Sequence, residues 1–325
     1  MAGVANKTPA SPAPIEISVI CPTYRRSDRL RRLIAALEDQ DLERGRFEVV
    51  IVDDTSPDDT AAVAAELIAA SPLTMRYLTT GVNQGPAAGR NLGWRSSTAP
   101  LMAFVDDDCV PRPGWLRAGL AVMQAQPDDG VVQGHTMTEE GPMGDWTVFR
   151  QIEGPTPYFE ACNIFYRRDA LEATGGFDEK IAWYGEDTAL GWAVVDAGWG
   201  RGFADAAVVV HDLEDRGLRW HVRNGFLEGH LVEIAARHPR LATEGFWRPY
   251  AFHEWDVRTA IALAGVLGAA VQPATLVLVY PWYRMRRPPP SHHRFLRLIG
   301  ERAAVDSARV AGMLVASIRH RRLVI

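Results

Sequence analysis

The residues Leu101-Met-Ala-Phe-Val105, followed by Asp106-Asp107-Asp108, predict the fold more directly than any other stretch of the chain. The apolar run is a predicted strand, and in an open α/β sheet ligands bind at the carboxyl ends of the strands. Asp106 and Asp108 would project to the same side if the extended geometry continued, because strand side chains alternate. Two carboxylates that close repel each other unless a cation joins them, and oxygen ligands suit Mg²⁺ or Mn²⁺. For an isolated triplet the alternative is an acidic surface turn, but the neighbouring motifs favour a metal site.

The chain before this strand alternates between predicted strands and helices. Apolar strands are expected at 17–20, 47–52, 75–78 and 101–105. Helices are expected over 27–37, from a start at residues 56 and 57, and over 86–94. This order predicts an α/β fold with a doubly wound, mostly parallel, Rossmann-like sheet.

After the acidic triplet the pattern is looser. Further helices are expected at 114–125, 167–174 and 186–197, with a strand at 205–210. Residues 216–325 are expected to be mainly helical and to form a C-terminal extension.

The composition indicates a globular protein of a reducing compartment. Of the 325 residues, 47% are hydrophobic and 23% are charged, which excludes a disordered chain. The three cysteines are widely spaced and contain no CxxC pair, so the sequence suggests neither a disulfide framework nor a zinc site. Residues 1–14 are small and rich in proline and lack the apolar core of a signal peptide, so we expect a disordered tail and a cytoplasmic location.

Positive charge is concentrated at the C-terminus. Residues 284–325 contain ten arginines and only Glu301 and Asp306 as acids, which gives this segment +8 and the rest of the chain −13. A basic terminal segment favours an anionic partner such as membrane lipid, whereas the acidic body argues against nucleic acid as a substrate. The 24 residues before this segment, 260–283, carry no charge. They leave three interpretations open: peripheral contact with the inner face of a membrane, a helical lid or homodimer surface, or a true span or hairpin.

Several polar side chains follow the predicted strands and should meet at one edge of the sheet. Thr23 and Tyr24 follow the first strand, Asp54 ends the second, and Arg90 lies in the segment that precedes and enters the third helix. Together with a metal at the acidic triplet, they suit a nucleoside diphosphate, because polar groups can hold the base while the cation and the arginine hold the phosphates.

The ordered series of motifs resembles the family 2 glycosyltransferases, which have the nucleotide-sugar-binding GT-A fold. The resemblance runs from about residue 17 to residue 212. Its carriers are ISVICPTYRR, VVIVDDTSPDDT, NQGPAAGRNLG, MAFVDDDCVPRPGWL, CNIFYRRDALEATGGFDE and YGEDTALGW. It implies that the donor, usually a uridine nucleotide, contacts Pro22, Thr23, Tyr24, Arg25, Asp54, Arg90, Asp106 and Asp107. It also implies that Asp106 touches the ribose or the metal and that Asp108 binds the metal.

The pair Glu186–Asp187 provides the expected catalytic carboxylate. An inverting transferase needs a carboxylate to take the acceptor proton as the hydroxyl attacks the anomeric carbon. The resemblance places this role on the pair, and we favour Asp187, with Glu186 as the alternative. Both acids also suit the first turn of a helix, which does not exclude catalysis.

The resemblance further implies three acceptor-side residues and one more metal ligand. Asn163, Trp183 and Tyr184 are expected near the acceptor, although the two aromatic residues suit a core equally well. His211 ends a predicted strand and is expected to complete the metal shell or meet the diphosphate; a structural histidine is the alternative.

These expectations divide the chain into a nucleotide-sugar-binding half (15–108), an acceptor-binding and catalytic half (109–215), and the helical region 216–325. The expected activity is inverting transfer of a sugar to a hydroxyl of a glycan, a lipid-linked glycan or a natural product, with Mn²⁺ or Mg²⁺ as the cofactor. A retaining transferase on the same fold is the nearest alternative. A sugar nucleotidyltransferase and a non-catalytic binding module are weaker ones.

Overall fold

The structure is a computed structural model that describes residues 14–181, 183–287 and 294–324. The predicted N-terminal tail therefore lies outside the described residues, apart from Pro14.

The strands of the described chain are β1 (Ile17–Thr23), β2 (Phe47–Asp53), β3 (Thr74–Thr79), β4 (Leu101–Val105), β5 (Cys109–Pro111), β6 (Asp129–Thr138), β7 (Thr147–Val148), β8 (Asn163–Arg167), β9 (Gly200–His211) and β10 (Glu214–Asp215). The helices are α1 (Ser27–Glu38), α2 (Thr60–Ala70), α3 (Pro86–Ser96), α4 (Trp115–Ala125), α5 (Arg168–Thr174), α6 (Glu186–Asp196), α7 (Gly217–Leu227), α8 (His230–Arg237), α9 (Pro239–Glu244), α10 (Glu254–Gly268), α11 (Tyr280–Arg286) and α12 (Phe295–His320). Short 3₁₀ segments lie at Arg44–Arg46 and Pro273–Val279.

Eight of these strands form one sheet in the order β3-β2-β1-β4-β8-β6-β9-β5. The first four are mutually parallel, as the alternating pattern predicted. All seven residues of β2 are buried, because helices cover both faces of the sheet. The carboxyl ends of β1, β2 and β4 therefore lie side by side, and this edge positions the site described below.

The second half of the sheet is mixed. Strand β8 runs antiparallel to both β4 and β6, whereas β6 and β9 are parallel. Strand β9 is longer than predicted because its first residues, which are less apolar, pair with β6. Strands from before and after residue 108 belong to the same sheet, so the two predicted halves, 15–108 and 109–215, share one sheet.

The predicted start of the second helix at residues 56 and 57 is wrong. Helix α2 begins at Thr60, whose backbone N–H is bound by Asp58 Oδ1 at 3.1 Å. The hydroxyl of Ser56 instead donates to Asp53 Oδ1 at 2.6 Å and accepts the N–H of Arg25 at 2.8 Å. Ser56 thus links the turns after β1 and β2 and does not cap the helix.

The C-terminal region is helical, as predicted, and packs on the sheet through α8 and α12. Leu231, Ile234 and Met313 belong to the same buried cluster as Phe104 of β4. Helix α12 packs closely against the end of α7, where a Cβ on Gly229 would lie 2.5 Å from the carbonyl oxygen of Gly312. None of the described helices combines the length and the apolar character needed to cross a membrane.

Candidate active site

A cavity of about 590 Å³ opens at the carboxyl ends of β1, β2 and β4. It brings together all but two of the site residues that the sequence predicted. Its walls include Pro22, Thr23, Tyr24, Asp54, Arg90, Asp106, Asp107, Asp108, Trp183, Tyr184, Glu186, Asp187 and His211.

The two exceptions are Arg25 and Asn163. Arg25 is exposed, has a left-handed backbone conformation (φ 58°) and does not line the cavity. Asn163 is almost fully buried, and its amide is bound by Trp115 Nε1 at 2.8 Å and donates to the carbonyl oxygens of His135 and Ala207. Its hydrogen bonds thus fasten β8 to its neighbours, and the predicted acceptor contact is not found.

Arg26, which the sequence analysis did not identify, takes the place expected for Arg25. Its guanidinium donates to Asp107 Oδ1 at 2.7 Å and to Asp108 Oδ2 at 2.8 Å. Thr23 Oγ1 donates to the other oxygen of Asp107 at 2.7 Å. The turn after β1 is therefore joined to the turn after β4. The adjacent arginines Arg25 and Arg26 were the available signal, but only the backbone conformation decides which one faces inward.

The three aspartates do not alternate as a strand would. The chain turns at Asp107 and Asp108, and the N–H of Cys109 donates to the carbonyl oxygen of Asp106 at 3.2 Å. Asp106 binds Arg90 (2.7 Å), whereas Asp108 lies beside His211, and both aspartates line the cavity. The extended geometry on which the alternation of Asp106 and Asp108 depended ends at Val105, so that condition is not met.

Asp108 and His211 provide a donor set that fits a divalent cation. Asp108 Oδ1 lies 3.6 Å from His211 Nε2, and the ligand atoms of Asp108, Cys109 and His211 all lie within 4.8 Å of one another. Burial disfavours the charge on Asp108, but His211 and Arg26 outweigh it and hold the pKa of this carboxyl below its usual value. An ionised carboxylate beside an imidazole is a common metal-binding pair.

Asp54 orders the loop at the mouth of the cavity. Its carboxylate accepts hydrogen bonds from the N–H groups of Gln84 (2.9 Å) and Gly85 (2.7 Å) and from the hydroxyl of Thr80 (2.8 Å). These contacts hold the loop 80–85 beside the cavity and lead the chain into α3.

Arg90 joins the turn after β4 to the start of α6. It is buried, and its two terminal nitrogens bind Asp106 Oδ1 at 2.7 Å and Glu186 Oε1 at 2.8 Å. Because one guanidinium binds both carboxylates, these two segments are fixed relative to each other.

Asp187 differs from its neighbour in having no arginine partner among the described residues. Its carboxylate accepts the N–H of Thr188 at 2.7 Å and that of Ala161 at 3.2 Å. Burial, and then the charge of Glu186, raise the pKa of Asp187 to about 7. Gly185 precedes the helix with φ 87°, and a Cβ there would lie 2.8 Å from Ile234 Cδ1. The backbone conformation that presents Asp187 to the cavity therefore requires glycine.

Besides Arg26, Glu214 and Arg216, four further charged residues line the cavity and were missed. They are Arg150, Glu160, Glu228 and Arg309. The first two lie on the irregular loop between β7 and β8, and the others belong to the C-terminal region. Burial raises the pKa of Glu228 to about 7, although Arg309 acts in the opposite direction. No local motif marks these residues, because contacts distant in sequence bring them to the cavity.

Residues 18–177 match the sequence model of the family described as Glycosyl transferase family 2. The pre-mycofactocin glycosyltransferase of Mycobacterium tuberculosis is 29% identical over 248 residues, which are 72% of this chain and 50% of that protein. The validoxylamine A glucosyltransferase of Streptomyces hygroscopicus subsp. jinggangensis is 26% identical over 269 residues, which are 71% of this chain and 63% of that protein. The chain thus spans about half the length of the first relative.

Solved structures share the fold at low sequence identity. The mannosyltransferase PcManGT from Pyrobaculum calidifontis, in complex with GDP-Man and Mn²⁺, superposes with a TM-score of 0.59 and 20% identity over 97% of this chain and 91% of that one. TarS 1-349 of S. aureus, in complex with UDP, gives 0.53 and 18% over 95% and 92%. The expected GT-A α/β fold is confirmed.

Proposed function

Because residues 18–177 belong to glycosyl transferase family 2, we propose that the protein moves a sugar from a nucleoside diphosphate to a hydroxyl group of an acceptor, with inversion at the anomeric carbon. The observation that carries the proposal is the pairing of Arg90 with both Asp106 and Glu186. This contact places a donor-side acid and the start of α6 in one cavity, and it leaves the carboxylate of Asp187 without a cationic partner among the described residues.

The donor occupies the edge formed by β1, β2 and β4. Pro22, Thr23, Tyr24 and Asp54 hold the nucleoside, and this is supported by their position on one cavity wall. Asp106 contacts the ribose. We propose a uridine nucleotide, as the motif series implies, with a guanosine nucleotide as the alternative.

Asp108 and His211 would hold Mn²⁺ or Mg²⁺. Their separation of 3.6 Å and the lowered pKa of Asp108 support this assignment. When bound, a divalent cation neutralises the charge of a diphosphate leaving group. Arg26 binds the other oxygen of Asp108, Oδ2, and so leaves Oδ1 facing His211.

Asp187 is the proposed base. Its carboxylate takes the proton of the acceptor hydroxyl while that oxygen attacks the anomeric carbon from the face opposite the diphosphate. Glu186 is the weaker candidate because its oxygen is bound by Arg90 at 2.8 Å. Asp187, in contrast, has a pKa raised to about 7, and a pKa close to the working pH suits a proton acceptor.

The alternative activities predict different products. A retaining transferase would give the opposite anomer, which NMR of the product resolves. A sugar nucleotidyltransferase would need a glycine-rich phosphate loop after β1, where this chain has Pro22, Thr23 and Tyr24.

We also propose that the apolar hairpin, formed by α10 and the 3₁₀ segment Pro273–Val279, contacts a membrane of anionic lipid. No charged residue lies between Arg258 and Arg284, and Arg284 and Arg287 at its end are exposed. A hydrogen bond joins the two segments of the hairpin, because Thr275 Oγ1 donates to the carbonyl oxygen of Gly265 at 2.8 Å. Its outward apolar side chains are Ile261, Val266, Leu267, Val271, Leu276, Val277, Leu278 and Tyr280. Such a surface suits shallow insertion with arginines near the headgroups.

A further inference from the structure

The C-terminal region supplies one wall of the donor cavity, although it lies outside the segment that matches the family. Asn224 of α7, Glu228 just after it, His253 and Arg309 of α12 all line this wall. Three separate helical elements thus converge on the side of the cavity that contains Tyr184 and Asp187.

Glu228 and Arg309 form the centre of this wall. Arg309 Nε lies 2.6 Å from Glu228 Oε2, and Arg309 Nη2 donates to Oε1 at 3.1 Å. The third nitrogen, Nη1, lies 3.7 Å from Asp256 Oδ1, and Asp256 is completely buried. Arg309 is therefore paired with Glu228, and its third nitrogen faces the buried carboxylate of Asp256.

On this side of the cavity acidic side chains outnumber basic ones, which disfavours binding of an anion. Glu160, Asp187 and Glu228 contribute carboxylates to its lining, while Arg150 and Arg309 contribute guanidiniums. Asp256 behind Arg309 adds another negative charge. Carboxylates held in place in this way accept hydrogen bonds from hydroxyl groups. Trp220 also lines the cavity, with the guanidinium of Arg216 5.6 Å from the centre of its ring, and an aromatic side chain of this kind can pack against a sugar ring.

We propose that the wall formed by Glu228, Arg309 and Trp220 is the acceptor subsite and that it selects an uncharged polyhydroxyl compound. Glu228 accepts a hydrogen bond from an acceptor hydroxyl, and Arg309 holds the Glu228 side chain in position. This inference rests on the proposed function, whose donor site lies on the opposite wall. The region 216–325 thereby contributes specificity and not only stability.

A buried ion pair could instead serve only to fasten α7 to α12. The chain contains a matched control for that role. Asp306 of α12 is buried and binds Arg286 through both oxygens, at 2.8 and 2.6 Å, but it does not line the cavity. Asp306→Asn therefore weakens a comparable ion pair on the same helix at a residue that does not line the cavity.

The test uses the full chain with UDP and Mg²⁺ and measures probe binding by saturation-transfer NMR. The uncharged probes are glucose and mannose, and the anionic probes are glucose 6-phosphate and glucuronate. We expect the uncharged probes to bind and the anionic ones not to bind. Glu228→Gln should weaken binding of the uncharged probes about 10- to 100-fold, the range for a hydrogen bond to a charged group. Asp306→Asn should leave it unchanged.

Thermal melting and UDP affinity are measured on the same samples. Intact UDP binding in Glu228→Gln shows that the donor site is present, so loss of probe binding is then specific to the subsite. The inference is overturned if the anionic probes bind as well as the uncharged ones, if no probe binds, or if Asp306→Asn has the effect of Glu228→Gln. A failure of the proposed function itself would appear differently, as a loss of UDP binding by the unmodified protein.

Discussion

The guanidinium of Arg90 lies 2.8 Å from Glu186, and this contact separates the roles of two adjacent acids on one helix. Glu186 is paired with a buried cation, whereas the hydrogen-bond donors to Asp187 among the described residues are backbone N–H groups and the hydroxyl of Thr188. In the proposed reaction the acceptor proton therefore goes to Asp187.

Replacing the proposed base should remove transfer without removing donor binding. Asp187→Asn keeps the size of the side chain but cannot accept the proton, so we expect kcat to fall by roughly 10²–10⁴ with little change in the affinity for UDP. Glu186→Gln serves as the comparison and should retain transfer. Full activity of Asp187→Asn together with inactivity of Glu186→Gln would assign the base to Glu186.

The pH dependence should report the environment of Asp187. Burial and the charge of Glu186 raise the pKa of Asp187 to about 7, and only the ionised carboxylate accepts a proton. We therefore expect kcat/KM to fall about tenfold per pH unit below pH 7 and to level off above it. Glu186→Gln removes one of the causes and should move the acid limb to lower pH. An acid limb near pH 4 in the unmodified protein would show that no raised carboxyl controls the reaction.

Removing Arg90 should destabilise the fold. Arg90→Met leaves the carboxylates of Asp106 and Glu186 without their shared cation in a buried site, at a cost of about 3–5 kcal/mol in the free energy of unfolding. Urea denaturation measures this cost, and adding Glu186→Gln to Arg90→Met should recover part of it. Arg31→Met, which breaks an exposed pair with Glu66, should have little effect. Equal stability of Arg90→Met and Arg31→Met would mean that the bridge contributes nothing to the fold.

The apolar hairpin should bind anionic vesicles. Co-sedimentation of the full chain with phosphatidylserine vesicles is expected at low salt and should weaken as salt screens the arginines. Leu267→Glu, at a side chain that is 77% exposed, should reduce binding, whereas Val82→Glu on the loop after β3 should not. Absence of binding at low salt would reject the membrane contact, and a dimer in sedimentation velocity would then assign the hairpin to an interface between copies.

The donor edge could be predicted from the sequence because it consists of short motifs at the ends of consecutive strands. Parallel strands with apolar runs fix where the residues after β1, β2 and β4 must meet, so Thr23, Asp54 and Arg90 fall on one cavity. The family assignment is confirmed for the same reason, since its motifs are local and ordered.

Other features depended on backbone conformation and on distant contacts. The left-handed turn at Arg25 directs Arg26 inward, and the turn at Asp107 separates Asp106 from Asp108, neither of which follows from side-chain alternation. The cavity wall that contains Glu228 and Arg309 is formed by the end of α7 and by α12. Nothing in the sequence near Glu228 indicates that Arg309 is the partner of Glu228. The count of arginines in residues 284–325 likewise overstated the positive charge available at the surface, because arginines such as Arg309 are paired inside the protein.

Metal-dependent sugar transfer is tested most directly by measuring the nucleotide that the protein releases from each of a panel of nucleotide sugars, with Mn²⁺ or with a chelator. Asp108 and a diphosphate would repel each other without a bridging cation. We therefore expect one member of the panel, a UDP-sugar, to release UDP only when metal is present. Asp108→Asn should abolish the metal response, and the product with an accepted hydroxyl compound should have the inverted anomeric configuration. Three results would contradict metal-dependent inverting transfer. They are release that is equally fast under chelation, no release from any member of the panel, and a product of retained configuration.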